Sequence, residues 1–367
     1  MFKRIYFFFF TYLAAVVYSQ TLLMLWFQKN GISYTGMLLY FFSMHFSVLF
    51  IFFILQGQKF NSKFSLLVGV VTSAAGVLSA SFVTNVYHVF IVAFFFGLNM
   101  AFLWMIYNVL YFKYSGKEEH GFKSGAYFLI GPVVGVLLAP LSGLVVEKLG
   151  YNFLFLSSMI LYVVPFVFVF YLPSFDFEFE TFKAVSKIEN RILIFFQGYI
   201  SILSFDIIPL FTLFFIATPF KLGSFFGYLA IFAALAATLN SRISDRLQKR
   251  ASFFYIFTTL NILSYIPLFL SKSFFAWQIF SGVNKLTYGL TRPFDLVLIL
   301  DHAKLDLVST MLGREVYLNL GRAAMVIVLL IIYYLTSSLW SALIWSSLVA
   351  FLYPMIAYYQ KIYLTPN

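Results

Sequence analysis

The sequence predicts an all-α integral membrane protein with twelve transmembrane helices in two pseudo-symmetric six-helix bundles, and three observations carry that prediction. Hydrophobic residues make up 62% of the 367 positions and charged residues only 10%, against roughly 25% charged in a soluble domain. Apolar runs of about 20 residues, enough to cross a hydrocarbon core about 30 Å thick as a helix, recur from end to end. Finally, one polar stretch, Ser174 to Arg191, lies midway with six such runs on each side. The alternating ten-residue segments of a membrane β-barrel are missing.

The first run, Ile5–Phe27, follows Met1-Phe2-Lys3-Arg4 and imitates a secretory leader. It is longer than the 7–15-residue core typical of a leader and no small-residue cleavage site follows, so a retained helix is expected. Tyr34–Leu55, Phe64–Val83, Val86–Tyr111, Gly125–Val146 and Phe153–Leu172 complete a first bundle over residues 1–173. A cytoplasmic linker at 174–190 holds Asp176, Glu178, Glu180 and Glu189, four of only 13 acids. Ile192–Phe215, Gly223–Leu239, Phe253–Leu270, Phe274–Leu300, Val316–Leu335 and Trp340–Tyr359 build a second bundle over 191–367. An even number of spans per half gives both halves one orientation, as parallel repeats require.

Charge fixes that orientation. With the N-terminus inside, seventeen of the 24 Lys and Arg fall on inner segments, Arg314 among them, and only Lys29, Lys148, Lys221 and Lys272 fall outside. The excess matches the positive-inside rule and would be inverted by one missed helix. Both termini are therefore expected in the cytoplasm, with the chain in the plasma or inner membrane.

Several function classes drop out. The absence of cysteine removes disulfides, zinc–thiolate sites, iron–sulfur clusters and thiol nucleophiles. The net charge of +11 sits in short loops, so nucleic acid is not an expected partner. No phosphate-binding G-x-x-x-x-G-K-[ST] loop, H-E-x-x-H or G-x-S-x-G occurs, and the four histidines form no ligand pattern. No enzyme, metal or cofactor is expected.

Ionisable groups inside a span cost a few kcal/mol or more and face a cavity or a partner. Asp206 falls near the middle of the seventh helix and Lys285 near the middle of the tenth; Arg292 follows two turns on, with Asp295 three residues later. Glu315, Asn319 and Arg322 make a polar stripe on the eleventh. Asp206 with Lys285 reads either as a substrate or proton site, where a solute separating the charges favours proton uptake, or as a structural ion pair. Arg292 with Asp295 and Arg322 with Glu315 read as gate or packing pairs. The first half offers Gln20, His45, Asn99, Asn108, Trp104 and Tyr107, with His45 expected in an interhelical hydrogen bond.

Small residues mark close packing. Gly131, Gly135, Ala139 and Gly143 recur every four residues on the fifth helix, beginning at Gly131-Pro132. Ala230, Ala234 and Thr238, with Ala233, Ala237 and Ser241, do the same on the eighth. Such stripes let backbones approach. After the eighth helix the chain reads SRISDRLQKR, Ser241 to Arg250.

That segment resembles the signature G-x-x-x-D-R/K-x-G-R/K-R/K of the major facilitator superfamily. Asp245, Arg246, Lys249 and Arg250 match, while Ser241 and Gln248 stand where glycines are usual. The matching first-half loop, Gly57 to Lys63, has no Asp. Gly131-Pro132 is similar to the Gly-Pro motif of the family's fifth helix, and Pro140, Gly143, Gly150 and Tyr151 to its turn into the sixth. The resemblance implies a cytoplasmic latch at Asp245 and its basic neighbours, and fifth and eighth helices that meet between the halves. It also implies a central pathway lined by helices 1, 4, 7 and 10, which puts Gln20, Asn108, Asp206 and Lys285 on it. The implied activity is secondary active transport of a small organic solute by alternating access, by a monomer in the lipid bilayer. Lys285, Arg292 and Arg322 outnumber Asp206 and Asp295, which favours an anionic or zwitterionic solute. Coupling to protons stays open, since the fourth helix lacks the Arg of many proton-driven members. Efflux of apolar compounds and a non-transporting partner protein on the same scaffold are the alternatives.

Overall fold

A lipid-facing backbone satisfies its N–H and C=O groups only within a helix or a closed barrel, and the chain takes the first route almost throughout. The computed structural model describes the backbone of residues 2–115, 120–246, 250–301 and 306–359, and the side chains of 2–114, 127–240, 253–293 and 306–359. Among these residues nine helices are long and apolar enough to cross a membrane, and Phe253–Phe269 adds a shorter apolar one. Phe46, Leu137, Ile160 and Tyr334 are among many large apolar side chains turned outward, as a lipid-facing surface requires.

The first span is broken, not continuous: α1 (Phe2–Gln20) and α2 (Leu23–Lys29) meet at a turn over Thr21 and Leu22. In α3 (Tyr34–Ile54) the cap Ser33 accepts the Gly36 N–H at 3.2 Å. A short strand β1 (Lys59–Asn61) leads into α4 (Ser62–Ala80). Next, α5 (Val86–Asn99) runs through a wide π turn at Met100–Trp104 into α6 (Met105–Ser115). The expected fifth and sixth helices form one element, α7 (His120–Val169), whose single break is Gly150 at φ 86°. Only a residue without Cβ adopts that left-handed conformation at little cost, so one glycine does the work of a loop.

The linker is ordered as β2 (Asp176–Glu178) and α8 (Thr181–Lys187). Span seven is α9 (Arg191–Ile202), a second π turn at Leu203–Ile207, and α10 (Ile208–Thr212). Then follow α11 (Pro219–Arg246), α12 (Arg250–Phe269), α13 (Phe274–Asp301), α14 (Leu307–Thr336), α15 (Leu339–Ala350) and α16 (Leu352–Tyr359). The eleventh helix begins nine residues before the expected Val316. Asp306 caps it, accepting the Ser309 N–H at 3.0 Å and the Ser309 hydroxyl at 2.7 Å. Arg314, expected in an inner loop, is therefore two turns inside α14 and buried.

The most extensive packing joins α7 to α11. A Cβ on Gly143 would stand 2.6 Å from the Pro219 carbonyl, one on Gly135 would stand 3.0 Å from Ala230 Cβ, and one on Gly223 would strike the Ala139 carbonyl. The expected stripe thus meets the start of α11 through Pro219 and Gly223 as well as through Ala230. Gly131 departs from it, facing Leu13 of α1 instead. Elsewhere α14 packs on α9 and on α3.

The linker is strapped to the first half. β1 and β2 pair antiparallel with Phe60 opposite Phe177 and Asn61 opposite Asp176. The ladder extends through Phe179 N–H to the Gln58 carbonyl at 3.0 Å and Ser62 N–H to the Phe175 carbonyl at 2.9 Å. Thr181 donates to the Phe52 carbonyl of α3 at 2.7 Å. The other side of α8 meets α14, where Tyr317 donates to the Val185 carbonyl at 3.3 Å and Gly313 leaves room for the Ala184 carbonyl.

Of the expected latch, Lys249 lies outside the described residues. Ser241, Asp245, Arg246 and Arg250 sit in helical backbone, but their side chains, like that of Asp295, lie outside the described ones.

Candidate functional site

Span seven carries its acid on the second π turn. Pro209, two residues into α10, has no N–H to give and its ring crowds the carbonyl four residues back, which widens the helix just ahead of it. The back of this turn is anchored: Ser204 Oγ and Tyr265 OH stand 2.7 Å apart, Ser204 donates to Asn284 Oδ1 at 3.1 Å, and Asn284 Nδ2 donates to Ser264 at 2.9 Å. Asp206, two residues on, is left half-buried.

Lys285, Arg292 and Arg322 are likewise half-buried. Arg322 and then Lys285 are the charges acting on Asp206, yet no ion pair within 4 Å closes on Asp206 among the described residues. Lys285 Nζ instead stands 4.0 Å from the centroid of the Phe205 ring. Arg292 lies over three rings, Phe205 at 4.6 Å, Phe128 at 4.9 Å and Tyr288 at 5.7 Å. Phe128 belongs to α7, so this guanidinium bridges the two halves of the chain.

The expected Arg322–Glu315 pair is not formed. Seven residues of helix separate them by about 10 Å of rise, and Glu315 instead accepts from its buried neighbour Arg314 at 2.7 Å. Arg322 gives its Nε–H to Ser201 at 3.0 Å and reaches Asn319 Oδ1 at 3.4 Å. Asn319, fully buried, also bonds His45 Nδ1 of α3 at 2.9 Å.

The two first-half candidates point into their own half. Gln20 donates to Tyr162 at 3.3 Å and to Ser73 at 3.4 Å. Asn108 accepts from Tyr127 at 2.6 Å. Behind Tyr127, Phe9 stacks on Tyr107 with centroids 3.7 Å apart, and Trp104 closes on Phe9 edge-on. At the opposite end of the helices Tyr34 lies flat on Phe214, 4.4 Å apart. A small cavity of about 10 Å³, room for about one water, borders the cationic cluster through Tyr288 and is lined also by Gln197, Thr258, Asn261 and Thr291.

Sequence reasoning missed Phe205, Phe128, Tyr288 and Ser201. Among 51 Phe and 25 Tyr no ring stands out, and only Pro209 close after Asp206 could have signalled a distorted helix presenting that acid.

Half-buried cations, one half-buried acid and aromatic rings are thus gathered from span seven, α13 and α14. A family model described as Major Facilitator Superfamily matches residues 5–313. No curated relative matches the sequence. Solved structures with the same fold include a POT family transporter in complex with a thioalcohol-conjugated peptide, 13% identical at TM-score 0.72. Another is a POT family transporter in complex with 5-aminolevulinic acid, 12% identical at TM-score 0.74. Each alignment covers 99% of this chain and 96% of the other.

Proposed function

The chain belongs to the major facilitator superfamily, and on that premise we propose that it moves a small anionic or zwitterionic organic solute by alternating access. Twelve spans in two six-helix bundles rock about a site near mid-membrane. The nine apolar helices, with α7 divided at Gly150 and with α12 and α13 added, support that count. The linker end faces the cytoplasm, as the Lys and Arg bias favours.

One observation carries the substrate class: Arg322 and Lys285 act on Asp206, Arg292 shares the Phe205 ring with Lys285, and among the described residues no ion pair within 4 Å closes on the acid. A desolvated cation cluster attracts a carboxylate or phosphate and repels an amine, except beside the single acid. A solute bearing both groups, as 5-aminolevulinic acid does in the neighbour's complex, would meet Arg322 or Lys285 at one end and Asp206 at the other. The exposed ring of Phe205 supplies an apolar wall between them. Asp206 is also the group best placed to carry a coupling proton.

Proteoliposome uptake across a panel of organic anions, zwitterions, sugars and apolar cations tests this, with lumen pH recorded in parallel. Saturable uptake of an anion or zwitterion is expected, with proton movement lost in Asp206→Asn. Transport of apolar cations alone would replace this reading with efflux of apolar compounds. Uptake without proton movement would leave exchange or uniport.

A further inference from the structure

Asn319 hydrogen-bonds both a first-half residue, His45, and a cation of the proposed site, Arg322. Its Nδ2 donates to the Glu315 carbonyl at 2.7 Å, one turn back on α14. That bond fixes which way the amide faces, so Oδ1 points at His45 Nδ1, 2.9 Å away. An oxygen only accepts, so His45 must carry its hydrogen on Nδ1. The same Oδ1 lies 3.4 Å from Arg322 NH1. Two donors thus share one acceptor: an imidazole on α3 at a short distance, whose buried Nε2 has no partner among the described residues to receive a second hydrogen, and a guanidinium on α14 at a long one. The Arg322 guanidinium is held from its other side by Ser201 and acts on Asp206.

We infer that His45 is a positioning residue for Arg322, acting through Asn319. While α3 lies on α14, the imidazole occupies Asn319 Oδ1 and Arg322 keeps only the longer contact with it, its Nε–H given to Ser201 on the span that carries Asp206. When the halves rock and α3 leaves, the freed oxygen takes the guanidinium, a charge-assisted bond stronger than the one it replaces. Arg322 is drawn along its own helix toward Asn319 and off Ser201, on the span that carries Asp206. The cation at the site is then strong or weak according to which face of the protein is open, so solute is bound on one side and released on the other. This rests on the reading that Arg322 and Asp206 hold the solute.

Two substitutions separate the possibilities. His45→Leu keeps the bulk and removes the donor, whereas His45→Asn places an amide N–H where Nδ1 stands. The reactivity of Arg322 toward phenylglyoxal, followed by mass spectrometry with Arg292 as internal reference, reads its posture with no solute needed. In His45→Leu, labelling of Arg322 should fall about fivefold, and the KM of the transported anion should rise by about the same factor with kcat less affected. His45→Asn should restore both. Unchanged Arg322 labelling in a monodisperse His45→Leu protein overturns the inference, whatever transport does. A fall that His45→Asn fails to restore also overturns it, because a lost packing contact would then explain the change. Labelling that shifts and recovers as expected while no anion is transported would retain the posture and remove the substrate reading instead.

Discussion

Lys285 holds its ammonium over the ring of Phe205, 4.0 Å from the centroid, although Asp206 is the next residue in the chain. A cation over an aromatic face gains about 0.5–2 kcal/mol or more as it is desolvated, without using up a carboxylate. The lysine thereby rests on an aromatic face and, among the described residues, has no acid within 4 Å. Phe205→Leu should raise the KM for an anionic solute about tenfold, with less effect on a neutral one, and Phe205→Tyr should stay close to the parent. A uniform loss across all solutes would show that Phe205 only fills space.

The glycines of α7 are not equivalent. A Cβ at Gly143 meets the backbone of Pro219 and Phe220, at 2.6 and 2.9 Å, and backbone cannot rotate aside. Gly143→Ala should cost about 1–3 kcal/mol, the range for overpacking, and lower the thermal midpoint in detergent. Gly131→Ala meets only the end of Leu13, at 3.7 Å. It should be neutral or stabilising by up to about 1 kcal/mol through helix propensity. Equal effects at the two sites would contradict the close approach of α7 and α11.

Asp306 ties the stability of α14 to pH. Partial burial works to raise its pKa, but the two bonds from Ser309 and the charge of Lys183 outweigh it and hold the carboxylate below its ordinary value. A lowered folded value means stability that is present above the unfolded pKa near 4 and lost as pH falls through the folded one. Asp306→Ala should lose about 1 kcal/mol at pH 7, and thermal midpoints of parent and variant should converge on acidification below that value. A difference that persists at low pH would place the effect elsewhere.

The strap can be locked covalently, because the chain has no other thiols to confuse the result. Ser62 N–H bonds the Phe175 carbonyl, so by the alternation of an antiparallel ladder Asn61 and Asp176 form a non-hydrogen-bonded pair. Such pairs have the shorter Cα separation, about 4.5 Å, within disulfide range. Asn61→Cys with Asp176→Cys should cross-link quantitatively under mild oxidation, with transport retained. Failure to cross-link would disprove the register.

What the sequence made legible follows from what controls each feature. Span lengths and the small-residue faces of α7 and α11 were readable because hydrophobic length and residue spacing are local properties, whereas the meeting of those two faces came from what the family resemblance implies. The merged helix at Gly150 was half-readable, since the glycine was noticed but not that it served as the whole turn. The onset of α14 was misplaced because an amphipathic first turn, capped by Asp306, falls below an apolar threshold. The partners of Arg322 and Lys285 were out of reach for another reason: i, i+3 and i, i+7 spacings describe one helix, while Ser201 and Phe205 come from another. Gln20 and Asn108 show the converse, since polar residues on pathway helices are engaged by Tyr162 and Tyr127 within their own half.

The linker is a shorter tether than its residue count suggests. With its first part woven into the strand beside β1, the second half hangs on the few residues from Lys183 to Asn190, most of them wound into α8. Coiled, those residues advance about 1.5 Å each; drawn out, they advance about 3.3–3.6 Å each. Reach at this mouth is therefore stored as turns of helix, not as slack. A separation beyond the coiled length must unwind α8 from Gly313 and Tyr317, and the same turns re-forming would draw the halves together again, as a spring does.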